Sequence, residues 1–367
     1  MNGNTLNEIS FPVNNSSNFM RELRLNVNNY FTKNNISKKA NSEMIFKTFL
    51  VLLMYFVPYL FIILNVITNP IAIFLTWMVM AIGMTSIYFV IGHDANHGNY
   101  STNRTINKLL SNLTILVGGS SLVWRIQHNI LHHVYTNIEE HDEDLYVLPI
   151  LRFSPLQKRK KLHRYQGIYA WILYCLFTLS WTTRKDFIKL NGYKAKKLIK
   201  TQNTTYTKAL LFLIFSKIIY FILFLILPII LNNQPWTFTL MCFITMHMIC
   251  GFLLSIMFQL AHKVMEVSIH VPDEEGQIDT DWASHQLRTT ANFATKNRII
   301  SWFTGGINFQ IEHHLFPDIC HVHFPEISKI VKRVTDKYKL PYNELSFLQA
   351  IKSHQKFLVT LGNYDDL

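Results

Sequence analysis

Three imidazoles fall within six residues of this chain, at His128-Asn129-Ile130-Leu131-His132-His133. On a helix, His128 and His132 lie one turn apart on the same face. His133 is rotated by about 100° from His132 and reaches toward a second centre on the neighbouring flank. A second box, His93-Asp94-Ala95-Asn96-His97, repeats the i, i+4 spacing upstream. A third, Gln310-Ile311-Glu312-His313-His314, lies far downstream. Long apolar stretches separate the boxes. Their seven imidazoles predict a metal site assembled from distant parts of the chain.

Imidazole suits iron, zinc, copper and nickel. One tetrahedral zinc takes four ligands, and seven box histidines plus His262 exceed that, so two metals are the economical count. Soluble di-iron bundles use Glu-x-x-His pairs, which this sequence lacks. A mononuclear facial triad needs a carboxylate ligand. Two irons held almost wholly by histidine fit better. Neutral imidazoles leave such irons electron-poor, which suits O₂ activation.

The elements that must position these boxes are apolar. Of 367 residues, 49% are hydrophobic and 16% charged, against roughly 25% charged in a soluble domain. The net charge of +12 reads, in so apolar a chain, as a cytoplasmic membrane face rather than a nucleic-acid surface. The four cysteines are scattered and read as free thiols. The start of the chain has no early apolar run, so no cleavable signal peptide is expected.

Four runs are long enough to cross a hydrocarbon core of roughly 30 Å: residues 46–67, 71–91, 208–231 and 236–258. Short links, Thr68-Asn69-Pro70 and Asn232-Asn233-Gln234-Pro235, join them into two hairpins with uncharged tips. Nearly all Lys and Arg lie outside the hairpins, so both termini and the middle segment are expected on the cytoplasmic side. All three boxes then share that side. Lys217, the one charge inside its span, is read as snorkelling. Residues 106–124, interrupted by Gly118-Gly119, and residues 168–181 are read as interfacial or re-entrant helices. Residues 19–31 form a candidate amphipathic helix, and the last 30 or so residues one or two more. The expected fold is an all-α integral membrane protein with four transmembrane helices, interfacial helices and a helical cytoplasmic part carrying the boxes. Its expected units are a cytoplasmic N-terminal segment (1–43), the membrane and metal domain (44–320) and C-terminal helices (321–367).

Other residues are read by their neighbourhood. Asp94 is a candidate acceptor orienting a metal-bound imidazole, a contact such ligands usually require. Glu312 has the same candidacy, and His285 is a candidate for a supporting or substrate contact. His141, in the run Glu139 to Asp144, is read as part of a solvated acidic turn. His321 and His323 are read as structural. Trp124, Trp282 and Trp302 sit near the boxes and are candidates for lining a tunnel to the metal site or for interfacial anchoring.

The three boxes in order resemble those of the membrane fatty acid desaturases, and the Gln opening the third box resembles their front-end branch. The flanks are similar to bacterial members: Asn96-His97-Gly98, Tyr135-Thr136-Asn137, Asp281-Trp282 with His285-Gln286-Leu287, and Phe316-Pro317. The resemblance runs from about residue 20 to 345. It implies a di-iron, O₂-dependent enzyme that removes two hydrogens from an acyl chain, leaving a cis double bond on the carboxyl side of an existing one. It implies that His93, His97, His128, His132, His133, His313 and His314 hold the irons, with His262 as a further ligand. Gln310 stands where other branches have His, and is a candidate for touching the metal, holding a water or shaping the pocket. The implied substrate is an acyl-CoA or acyl lipid in a bacterial cytoplasmic membrane. No His-Pro-Gly-Gly haem signature occurs, so the implied electron donor is a separate ferredoxin or cytochrome b5. A related di-iron hydroxylase or sphingolipid-type desaturase shares the boxes. A membrane metal transporter is a third reading, disfavoured because its spans should carry polar groups.

Overall fold

The computed structural model describes residues 9–12, 17–145 and 150–364; the rest of the N-terminal segment lies outside these. It is built almost wholly of helices, with one two-residue parallel strand pair, Asn292–Phe293 against Glu344–Leu345.

Four helices among the described residues are long and apolar enough to cross a membrane: Ser42–Ile63, Pro70–His97, Tyr206–Leu231 and Trp236–His262. Asparagines set two of the starts. The Asn41 side chain accepts from the Met44 amide, and Asn69 caps the second span, where Pro70 occupies the first turn. The first span ends at Ile63 rather than at 67, because Asn65 adopts a left-handed conformation that a helix does not continue through. Asn65 then donates to the Leu231 carbonyl at 2.6 Å, and Asn232 donates to that of Ile62 at 3.1 Å. The two polar tips are thereby hydrogen-bonded to each other.

The second and fourth spans are the inner pair. Their most apolar windows are 67% and 56% buried, against 33% and 28% for the first and third. These two also run furthest. At 1.5 Å per residue, 28 and 27 residues reach about 40 Å, well beyond a hydrocarbon core of roughly 30 Å. The surplus turns carry His93 and His97 on one helix and His262 on the other. The second span halts at Gly98, whose φ of 71° suits a left-handed stop.

The helix broken at Gly118-Gly119 consists of Arg104–Val117 and Ser121–Tyr135, bent by 109°. Behind that bend, Lys217 does not snorkel. Its ammonium is buried, 2.7 Å from the Asp186 carboxylate, and donates to the carbonyls of Gly118 and Trp181. The ion pair requires a buried partner 31 residues away, which the span's own apolar pattern does not reveal.

Besides the core among the spans, a second core lies beyond them. The helix Ser17–Lys33 packs Phe19, Leu23, Val27 and Phe31 against Ile327, Val331 and Val334 of the helix Phe324–Tyr338. A last helix, Phe347–Asn363, follows. The Gln310–Leu315 helix is held between these helices and the inner spans, with every side chain buried.

Candidate metal centre

All eight predicted histidines come together in one buried cluster, and His97 alone is partly exposed. One group, His93, His97, His128 and His313, places its ring nitrogens within 4.8 Å of one another. A second group does the same with His132, His262 and His314. His133 stands between them. Its Nε2 lies 3.1 Å from that of His128 and 2.9 Å from that of His313, while its ring stacks on His314 at 4.3 Å.

The position of His133 differs from the α-helical expectation, and the backbone explains why. Residues Ile126–His132 form a π-helical turn. That wider turn brings residues five apart into register, so His133 meets His128 instead of facing a separate flank. A second π turn, Ile87–Gly92, immediately precedes the first box. Such turns recur at functional sites.

The nitrogens suit cations. In the second group, Nε2 of His132 lies 3.3 Å from Nε2 of His262. Both Nδ1 atoms face oxygen, at Asp142 and at the Thr289 carbonyl, so both Nε2 atoms present lone pairs. Two lone pairs cannot satisfy each other, and the Gln310 amide reaches only that of His262. Both nitrogens of His93, Nε2 of His97 and Nε2 of His314 are also buried without a hydrogen-bond partner among the described residues. Burial, followed by the neighbouring imidazoles, holds His313 and His314 well below the usual histidine range. Neutral imidazole is the ligating form. A donor set of nitrogen alone, converging in two groups, fits two transition-metal ions rather than calcium or magnesium.

Contacts around the cluster sort the remaining candidates. Asp94 is buried and accepts from His321 Nδ1 at 2.8 Å and from the Cys320 thiol at 3.0 Å, while His93 Nδ1 lies 3.7 Å away. Lys47 of the first span closes that network, 2.9 Å from His321 Nε2. Gln310 places its amide nitrogen 2.9 Å from His262 Nε2. Glu312 turns away from the imidazoles. It accepts from Asn292 at 2.8 Å and Tyr342 at 2.9 Å, and burial pushes its carboxyl up to about 7. His285 contacts the Thr136 carbonyl at 2.8 Å, and Thr136 in turn lies 3.2 Å from His314 Nδ1. Trp124 stacks on His128 at 4.3 Å and hydrogen-bonds the Tyr88 hydroxyl. Trp302 sits instead over Lys47, and Trp282 packs on the second core.

Two supporting residues escape the sequence reading. Gln286 accepts from His314 Nδ1 at 2.8 Å; it was legible only as part of a flanking motif. Asp142 lies 3.2 Å from His132 Nδ1. The acidic turn that carries it is solvated only in part: Glu139, His141 and Asp142 are buried, while Glu140 is exposed. Left-handed Asn137 and Glu140 fold the turn back onto the second box. The signal that could have found Asp142 is a carboxylate ten residues beyond a box histidine, in a short turn able to return to it.

A family profile described as "Fatty acid desaturase" matches residues 68–346, which include all three boxes. The chain is 35% identical over 348 residues to the sn-1 linoleoyl-lipid 6-desaturase of Synechocystis sp., covering 94% of this chain and 95% of that one. It is 31% identical over 346 residues to the protein of the same name from Arthrospira platensis, covering 93% and 91%. It is 30% identical over 353 residues to an acyl-lipid (8-3)-desaturase of Physcomitrium patens, covering 94% of this chain and 72% of the relative.

Proposed function

The chain belongs to the fatty acid desaturase family, and on that premise we propose that it is a front-end acyl-lipid desaturase working with O₂ and a di-iron centre. It introduces a cis double bond between an existing double bond and the carboxyl end. The observation that carries this reading is the convergence of eight histidines, seven of them buried, at the ends of the two inner spans. The relatives' names support the regiochemistry: a linoleoyl chain already carries double bonds beyond its sixth carbon, so a 6-desaturase works on the carboxyl side.

His93, His97, His128 and His313 would hold one iron, His132, His262 and His314 the other, with His133 between them. When bound, the irons supply the capacity to reduce O₂ and oxidise an unactivated methylene pair. The reaction removes two hydrogens from adjacent carbons and reduces O₂ to two waters, taking two electrons and two protons from outside. Trp124, stacked on His128, and Phe258, in ring contact with it, form an apolar wall on the span side. That wall keeps water from the reacting carbons on the side from which a lipid acyl chain arrives. Asp142, Gln286 and the Thr289 carbonyl hold three imidazoles by their Nδ1 atoms.

The substrate is an acyl lipid of the surrounding membrane, and the electrons come from a separate ferredoxin or cytochrome b5. The hydrogen-bonded tips, together with the basic segments at the opposite ends of the spans, support two parallel hairpins with the site and both termini on the cytoplasmic side of a bacterial membrane. Lipid analysis of a host expressing the chain and fed linoleate tests the proposal, with His132→Ala alongside. A new double bond on the carboxyl side, absent in the variant, is expected. A hydroxylated product, or a bond on the methyl side, contradicts it.

A further inference from the structure

The two halves of the histidine cluster are held differently, and the difference centres on a residue outside the boxes. The argument rests on the di-iron reading above. In the group of His132, His262 and His314, every Nδ1 faces an acceptor: Asp142 at 3.2 Å, the Thr289 carbonyl at 3.2 Å and Gln286 Oε1 at 2.8 Å. Each ring is therefore fixed in orientation and tautomer, with the Nε2 lone pair turned into the cluster. Two rings of the other group lack this support. Both nitrogens of His93 and Nδ1 of His313 are buried with no hydrogen-bond partner among the described residues. The carboxylate nearest His93 is that of Asp94: its Oδ1 lies 3.7 Å from Nδ1, beyond hydrogen-bond range, while its Oδ2 is taken up by His321 and Cys320.

Asp142 supplies the only side-chain carboxylate among those three acceptors, and it is itself clamped. It accepts from the backbone N–H of Asn137 at 2.9 Å and of Asp144 at 3.0 Å, and is 1% exposed. Asp144 lies 3.5 Å from the same His132 nitrogen. A carboxylate hydrogen-bonded to a ligating imidazole makes it a stronger donor and fixes its ring, and losing such a partner costs roughly 10–100-fold in metal affinity.

We propose that Asp142 is a positioning residue that sets the metal affinity of the His132–His262–His314 position alone, so that the two irons are held unequally. The test uses the purified full chain in detergent, loaded anaerobically with enriched ferrous iron and dialysed against graded chelator. Iron per chain is counted by mass spectrometry, and Mössbauer spectra resolve the components. The wild type should show two components. Asp142→Asn should lose one, at a chelator strength about 10–100-fold lower, and retain the other unchanged. Asp142→Glu should recover part of the loss. His132→Ala, which leaves the backbone contacts of Asp142 in place, should lose the same component, and His93→Ala the complementary one. Loss of both irons together in Asp142→Asn, or retention of both at wild-type affinity, overturns the inference and leaves the di-iron reading standing. A wild type that takes up no iron overturns both.

Discussion

The amide nitrogen of Gln310 lies 2.9 Å from Nε2 of His262, which ties the first residue of the third box to the last turn of the fourth span. Each comes from a different part of the chain, and the contact is fully buried. The Gln310 Oε1 atom has no hydrogen-bond partner among the described residues, so this side chain offers the site a free oxygen as well. Gln310→Leu removes both groups. Iron retention or desaturation should fall by roughly 10–100-fold while the protein still extracts as a monodisperse species. Iron content and product yield check this. Wild-type values for both would remove Gln310 from the site.

The Lys217–Asp186 pair joins the third span to the segment behind the broken helix. Removing one partner from a buried pair leaves an uncompensated charge and costs about 3–5 kcal/mol. Lys217→Met should lower the thermal midpoint strongly. The double variant with Asp186→Asn should recover much of that loss, because no charge is then stranded. Thermal unfolding in detergent of both variants measures the coupling.

At Gly118 the backbone has a φ of 68°, and an added Cβ would come within 2.1 Å of Thr182 Cγ2. Gly118→Ala combines that clash with a left-handed conformation costing on the order of 1–3 kcal/mol. The variant should melt earlier than wild type. Thr182→Ser, which deletes the obstructing methyl, should restore part of the midpoint in the double variant and leave the conformational part. No rescue would mean that the 109° bend is not held by this contact.

Metal should stabilise the fold. A ligand that binds only the native state adds about 2.7 kcal/mol at a hundred times its dissociation constant. Stripping the protein with a strong chelator should therefore lower its thermal midpoint, and ferrous iron should restore it in a concentration-dependent way. His314→Ala should blunt the response. Calcium should produce little, because the eight histidines offer it nitrogen, whereas it takes about six to eight oxygens.

Much of this was legible in the sequence because two signals are local. Hydropathy marks the spans to within a turn or so, and box spacing marks the imidazoles directly. Residues 19–31 also emerge as the amphipathic helix that the chain forms. What stayed hidden depends on chain return. The π turn at Ile126–His132 changes which histidine meets which, and no residue type announces it. Asp142 looked solvated because its run is acidic, and only the left-handed Asn137 and Glu140 turn it inward. Lys217 looked like a snorkelling lysine because its partner Asp186 lies in another segment. The His321–Asp94–Lys47 network joins three separate segments, and His321 read simply as structural gave no hint of it.

Oxygen accounting in a reconstituted system tests the central claim most directly. The purified iron-loaded chain would be given a linoleoyl lipid and a reduced one-electron donor, and O₂ uptake would be measured against new double bonds located by mass spectrometry. The account predicts one O₂ consumed for each cis double bond formed on the carboxyl side, with both lost in His128→Ala and in His314→Ala. Double bonds formed without O₂, O₂ consumed with hydroxylated lipid as the product, or full activity in either variant would contradict it.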